Sequence, residues 1–113
     1  MTAPRRGEIW LVDFGEPVGR EQSGRRPAVV VSADALNESA AGVVMVVPCT
    51  TSRRDLPSHV EIDPGDSGLE AVSYAKCEDT KSVSERRLIA RLGQVGPDVT
   101  FQIGRVLRFL LEL

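Results

Sequence analysis

The sequence predicts a mainly β, α+β domain in which short helices accompany a small β-barrel and one longer helix closes the chain. Three observations predict it. The runs Ala28-Val29-Val30-Val31-Ser32 and Val43-Val44-Met45-Val46-Val47 are short, β-branched and bounded by turn residues, as strands buried on both faces of a small closed barrel would be. The hydrophobic period then changes from strand-like to helical only near the C-terminus. Finally, 113 residues are enough for one compact domain and too few for two, so residues 1–113 are expected to form a single unit.

The elements follow in order. Glu8-Ile9-Trp10-Leu11-Val12-Asp13-Phe14 reads as a first strand, ended by the turn chemistry of Gly15-Glu16-Pro17-Val18-Gly19. Residues 19–27 are polar and glycine-flanked, which predicts an exposed loop. Between the two β-branched runs, Asp34-Ala35-Leu36-Asn37 has room for one helical turn. Val60 to Ile62 and Ala71 to Lys76 add two strands, separated by Asp63-Pro64-Gly65-Asp66-Ser67-Gly68. Ser82-Val83-Ser84-Glu85 has capping-box spacing and predicts a short helix through Leu88. Arg91-Leu92-Gly93-Gln94-Val95 reads as the last strand.

The terminal helix is the clearest element. Pro97 suits its first position and Asp98 the positive end of its dipole, while Val99, Ile103, Val106, Leu107 and Leu110 recur along one face. Phe101, Phe109, Leu111 and Leu113 fall off that face. The helix is therefore expected to cap a barrel mouth while its flank meets a second copy of the chain.

Composition narrows the function classes. Hydrophobic residues make up 42% and charged residues 27%, a balance that builds a core and argues against disorder. Net charge is −2, with a pI near 5.4, which excludes a uniformly basic nucleic-acid coat but leaves room for a local basic groove. No apolar run approaches the roughly 20 residues of a membrane helix, and the N-terminus shows no signal-peptide pattern, so no membrane and a cytoplasmic address are expected. Cys49 and Cys77 stand far apart in sequence and read as reduced core thiols. His59 is the one histidine, so neither a two-histidine acid–base pair nor a multi-histidine metal site can be built. Alternation in Pro57-Ser58-His59-Val60-Glu61-Ile62 puts Val60 and Ile62 on one face and His59 with Glu61 on the other. His59 is read as a solvent-facing strand residue.

Specific motifs add to this. Arg6-Gly7-Glu8-Ile9-Trp10-Leu11-Val12-Asp13-Phe14, followed by Gly19-Arg20-Glu21-Gln22-Ser23-Gly24-Arg25-Arg26-Pro27-Ala28-Val29-Val30-Val31-Ser32, resembles the opening motif of the MazF/PemK toxin family. Val47-Pro48-Cys49-Thr50-Thr51 is similar to its second motif, and Pro57-Ser58-His59-Val60-Glu61, Ser84-Glu85-Arg86-Arg87-Leu88 and Leu92-Gly93 follow in family order. The likeness implies an SH3-like small β-barrel of CcdB/PemK type, acting as a homodimer. It also implies the toxin of a type II toxin–antitoxin pair: a metal-independent, sequence-selective endoribonuclease that cuts single-stranded RNA. No cofactor is implied. Its implied protein partner is a cognate antitoxin whose acidic C-terminal segment fills the RNA groove.

Metal-free cleavage uses the 2′-OH to attack its own phosphodiester, giving a 2′,3′-cyclic phosphate and a free 5′-OH. By resemblance, Arg26 of the Arg-Pro motif would bind phosphate oxygens bidentately and Thr50 would donate to the developing oxyanion. Glu21 would be the base or a reader of base edges. Gln22, Ser23, Arg20, Arg25, Thr51, Arg53 and Arg54 are candidate RNA contacts. Lys76-Cys77-Glu78 resembles the Arg-Cys-Asp of PemK-like members, with Lys76 neutralising phosphate and Glu78 as acid or base. Asp79, where many relatives carry glutamine, is a departure that adds negative charge. Two rival readings remain at this stage: a same-fold toxin that poisons DNA gyrase by contact, and a non-cleaving RNA- or antitoxin-binding module.

Overall fold

A computed structural model describes residues 2–16, 19 and 24–113. The chain runs β1 (Glu8–Asp13), β2 (Arg25–Val30), α1 (Asp34–Asn37), β3 (Val43–Thr50), β4 (His59–Ile62), β5 (Ser73–Lys76), β6 (Lys81–Ser84), β7 (Leu88–Gln94) and α2 (Pro97–Leu111). Single 3-10 turns lie at Cys77–Asp79 and Glu85–Arg87. The pairings are antiparallel, in the order β4-β5-β3-β2-β1-β7, with β6 added to β3. β3 is the hub. One edge pairs with β2, and the other serves β6 through Val43–Val46 and then β5 through Cys49 and Thr50.

Alternation along these strands sends side chains into two cores. Ile9, Val29, Val47, Cys49, Val60, Ile62, Ala75 and Cys77 form one, closed by Ile103 of α2 with Val99, Val106 and Leu107 packed beside it. Trp10, Val12, Ala28, Val30, Val44, Val46 and Val83 form the other, with Phe14 and Leu88 at its rim. A small polar knot ties α1 to this frame: buried Ser32 donates to Asn37 Oδ1 and accepts from Met45 N at 3.0 Å. Among the described residues no helix is long and apolar enough to cross a membrane.

Three expectations are corrected. Arg25, Arg26 and Pro27 belong to β2, opposite Asp13, Val12 and Leu11, because pairing to β1 carries the strand into the polar stretch. Ser82 does not open a helix. Val83 is buried opposite Val44, and that burial together with the ladder outweighs local helix preference; only Ser84 caps, accepting from Arg86 N at 3.3 Å over one 3-10 turn. The strands also do not form a closed ring among the described residues. β6 and β7, split by the Glu85–Arg87 turn, go to different partners, β3 and β1.

Two glycines mark where backbones meet. A Cβ on Gly93 would stand 2.3 Å from Asp66 O, and one on Gly68 would stand 2.0 Å from Leu92 O. The 63–68 loop is thus pressed onto β7, and its Gln94 N to Asp66 O bond of 2.9 Å needs that approach. Gly93→Ala is expected to cost at least about 1–3 kcal/mol in urea unfolding. Gly104→Ala, in mid-α2 with its nearest neighbour at 3.6 Å, is expected to gain about 0.5–1 kcal/mol in the same assay.

Candidate nucleic-acid interface

Residues directly opposite on antiparallel strands share a face. Val12 stands opposite Arg26, Thr50 opposite Tyr74, and Tyr74 opposite Glu61. The β2–β3 ladder ends at Ala28–Pro48, where Pro27 and Pro48 have no N–H to give. Its register carried two residues further sets Arg26 level with Thr50. Arg26, Thr50, Tyr74 and Glu61 therefore make one row across β2, β3, β5 and β4, each about 4.8 Å from the next strand. Lys76 and His59, an opposed pair two residues along, lie on the same face. This is the face of the second core. β6, β7 and Phe14 cover its apolar end, and the polar end stays open.

Arg26 is exposed and Thr50 is half-buried. Thr50 Oγ1 accepts from Ser52 N at 3.1 Å, which leaves its own O–H to donate. Thr51 lies exposed past the end of β3, and Arg25 takes the opposite face by alternation. Arg53 and Arg54 are exposed on the segment that follows. Arg53 Nε donates to Asp55 Oδ1 at 2.8 Å, and Asp55 holds a left-handed φ of 54° to make that contact. The bond to Asp55 and its charge, with Tyr74 and Glu61 adding, hold the Arg53 guanidinium above its ordinary value. A cleft of about 360 Å³ opens here, lined by Arg53, Asp55, Leu56, Pro57, His59, Glu61 and Tyr74. Arg20, Glu21, Gln22 and Ser23 lie outside the described residues.

The departure at Asp79 has a structural sense. Its carboxylate sits 3.9 Å from Lys76 Nζ and 3.4 Å from Lys81 Nζ, with all three side chains largely buried, and Lys81 also lies over the Phe14 ring at 5.2 Å. Lys76 is thus part of an internal ion cluster as well as of the open face. Glu78 looks the other way, toward the start of β4. Its Oε1 accepts from Ser58 Oγ at 2.9 Å and its Oε2 meets His59 Nε2 at 3.0 Å.

The solvent-facing reading of His59 is corrected, since its side chain is 3% exposed. Alternation assigned its face rightly, but Glu78 from the 3-10 turn covers the ring, and its Nδ1 is buried without a partner. Both cysteines are buried and free, as their sequence context predicts, and burial first of all pushes each thiol up to about 12. They are therefore not nucleophiles. Among the described residues no group of three or more His, Cys, Asp or Glu side chains gathers to hold a metal. Tyr74 and Glu61 are candidate site residues that sequence reading missed. The signal was in the β4 and β5 alternation, but only the pairing to β3 reveals that it meets Thr50.

Two carboxylates fix the frame around the site. Burial pushes Glu8 up, but donors at Arg5 N, Trp10 Nε1 and Arg91 outweigh it and hold the group below its ordinary 4.5. Glu78 behaves alike: burial raises it, and His59, backbone N–H and Ser58 lower it further, below 4.5. Groups depressed on folding stabilise fully above the unfolded value and lose that contribution as pH falls through the folded one. The urea midpoint is therefore expected to drop once pH falls below about 4.5, and Glu8→Gln with Glu78→Gln should flatten that part of the profile.

An antiparallel sheet covered on one side by a C-terminal helix, with an arginine and a threonine hydroxyl level on its open side, defines a mainly β domain of α+β type with a candidate phosphate-binding row. The chain belongs to the PemK-like, MazF-like toxins of type II toxin–antitoxin systems, whose family profile matches residues 5–111. It is 36% identical over 114 residues to an endoribonuclease, MazF9, of Mycobacterium tuberculosis, covering 96% of this chain and 97% of that one. The endoribonuclease EndoA of Bacillus subtilis is 28% identical over 110 residues, covering 96% and 95%. Among solved structures, MazF from Deinococcus radiodurans superposes with a TM-score of 0.86 at 28% identity, covering 100% of both chains. An endoribonuclease from a mycobacterial species, solved in complex with its cognate antitoxin, superposes with a TM-score of 0.82 at 30% identity, covering 98% and 97%.

Proposed function

We propose that this chain is a single-domain endoribonuclease toxin that cuts single-stranded RNA at a selected sequence without a metal and is neutralised by a cognate antitoxin. The observation that carries the reading is the Arg26–Thr50 row on the open face, in a chain whose relatives are named endoribonucleases. Two solved neighbours are a MazE–MazF complex and an endoribonuclease with its antitoxin, which supports an antitoxin as partner here too.

In this mechanism the RNA 2′-oxygen attacks the adjacent phosphorus while the 5′-oxygen leaves in line. The 2′-OH proton goes to a base, for which Glu21 is the candidate, and the 5′-oxygen gains a proton as the bond breaks. Arg26 donates to the two non-bridging oxygens, where charge grows most. Thr50 donates its free O–H to the same phosphate. Glu78 is not given the acid–base role, since Ser58 and His59 already occupy both its oxygens. Arg20, Gln22, Ser23, Thr51, Arg53 and Lys76 are kept as candidate RNA contacts, and Arg25, on the opposite face, is not. β6-β3-β2-β1-β7 wrapping the second core supports an SH3-like barrel left open at the Glu85–Arg87 turn.

The working unit is a homodimer. Phe101 and Phe109 on α2 and Leu113 just beyond it are 67%, 79% and 78% exposed, more apolar surface than a monomer of this size would leave to water. Sedimentation at micromolar concentration should give a dimer, and Phe109→Arg should shift it toward monomer. For the chemistry, the purified protein should cut a long RNA in EDTA and leave 5′-OH ends. Arg26→Ala and Thr50→Ala should each lower the rate about 10²–10³-fold with the unfolding midpoint unchanged. Cleavage at the parent rate by Arg26→Ala would sink the mechanism, and an intact RNA would sink the enzyme reading.

A further inference from the structure

We propose that Tyr74, Glu61 and Arg53 form a base-reading subsite beside the scissile phosphate, and that the nucleobase it takes is guanine. The inference rests on the endoribonuclease reading above and specifies what that site selects.

The geometry comes first. Tyr74 is the direct cross-strand neighbour of Thr50 and Glu61 of Tyr74, so phosphate contact, aromatic ring and carboxylate follow one another at strand spacing on one face. Tyr74 is half-buried and Glu61 exposed, and both line the 360 Å³ cleft. That volume has room for a planar base. A phosphodiester held at Arg26 and Thr50 leaves its attached nucleoside within reach of the next strand, which is β5.

Each side chain then has a job that its chemistry fits. A tyrosine ring lining the cleft offers a face on which any base can stack. A carboxylate only accepts, so Glu61 selects for donors on the base edge. Guanine alone among the four presents two adjacent N–H groups, N1–H and the exocyclic N2–H, able to bond both oxygens of one carboxylate. Cytosine and adenine each offer one amino group beside a ring acceptor, which a carboxylate repels, and uracil offers one N–H between two acceptors. Arg53, bonded to Asp55, lines the same cleft and supplies positive charge for the backbone of the flanking nucleotide. It also lies near enough to Glu61 and Tyr74 to feel their charge, so the carboxylate is held beside a cation rather than isolated.

The test begins with the wild-type protein cutting a long single-stranded RNA and the cut sites mapped from their 5′ ends. Oligoribonucleotides varied at each position flanking the cut, with 2′-deoxy at the scissile nucleotide, then report affinity by fluorescence anisotropy. A guanine preference is expected at one position next to the cut. Glu61→Gln should reduce that preference by about 5- to 150-fold and move it toward adenine, which an amide pairs better, with preferences at other positions kept. Tyr74→Ala should weaken binding of all four bases at that position by a similar factor, and Tyr74→Phe should restore it. Because Glu61 is exposed and Tyr74→Phe keeps the ring, neither variant depends on surviving a core change. Wild-type cleavage with no guanine preference beside the cut, or with a preference that Glu61→Gln leaves intact, overturns the subsite alone. A wild-type chain that neither binds nor cuts RNA overturns the subsite and the enzyme reading together.

Discussion

Strand β3 has to be apolar on both faces, because two cores share it. Val44 and Val46 enter one cluster and Val47 and Cys49 the other. Both its edges are paired, by β2 on one side and by β6 and then β5 on the other. A polar substitution at Val44, Val46 or Val47 would leave an unmet group in one core or the other. The site inherits its rigidity from this. Thr50 is the last residue of the strand, so it stands where the apolar alternation stops and the open face begins.

That arrangement explains why so much of the fold was legible. A β-branched run with no polar alternation reads as buried on both sides, and 43–47 follows that reading except at Met45, which is 39% exposed. The pattern of α2 was legible for the same reason. Ile103 at the centre of its apolar stripe is buried, and the residues off the stripe are exposed. What failed was the boundary between local and long-range preference. Ser82-Val83-Ser84-Glu85 carries a helix-start pattern, yet Val83 faces Val44 across a ladder and only the final serine keeps its capping role. Local chemistry chose the cap, and tertiary burial chose the strand.

The candidate site divides in the same way. Arg26 and Thr50 could be named from their motifs, and strand alternation put His59 and Glu61 on one face. Alternation does not say what covers a face, however. The ring of His59 is buried because a turn nineteen residues later brings Glu78 over it. Tyr74 was invisible for a related reason. Its importance lies in being opposite Thr50, and that register joins strands separated by the 51–72 segment. A pairing of that sequence separation leaves no local trace.

Net charge misleads for a chain like this, and the structure shows why. With 16 acidic against 14 basic side chains the molecule is mildly acidic, yet several acids are committed to particular cations. Glu8 holds Arg91 at 2.8 Å, Asp55 holds Arg53 at 2.8 Å, and Asp79 lies between Lys76 and Lys81. Such pairs cancel at a distance, so they contribute little to the long-range field while fixing where each cation stands. Arg26 is exposed at the end of a strand, level with a hydroxyl donor. A phosphate that arrives there meets positioned donors rather than a diffuse positive field. Under the proposed endoribonuclease reading, bulk charge adds little to RNA affinity, so binding has to come from positioned contacts, and selectivity from those that reach the bases.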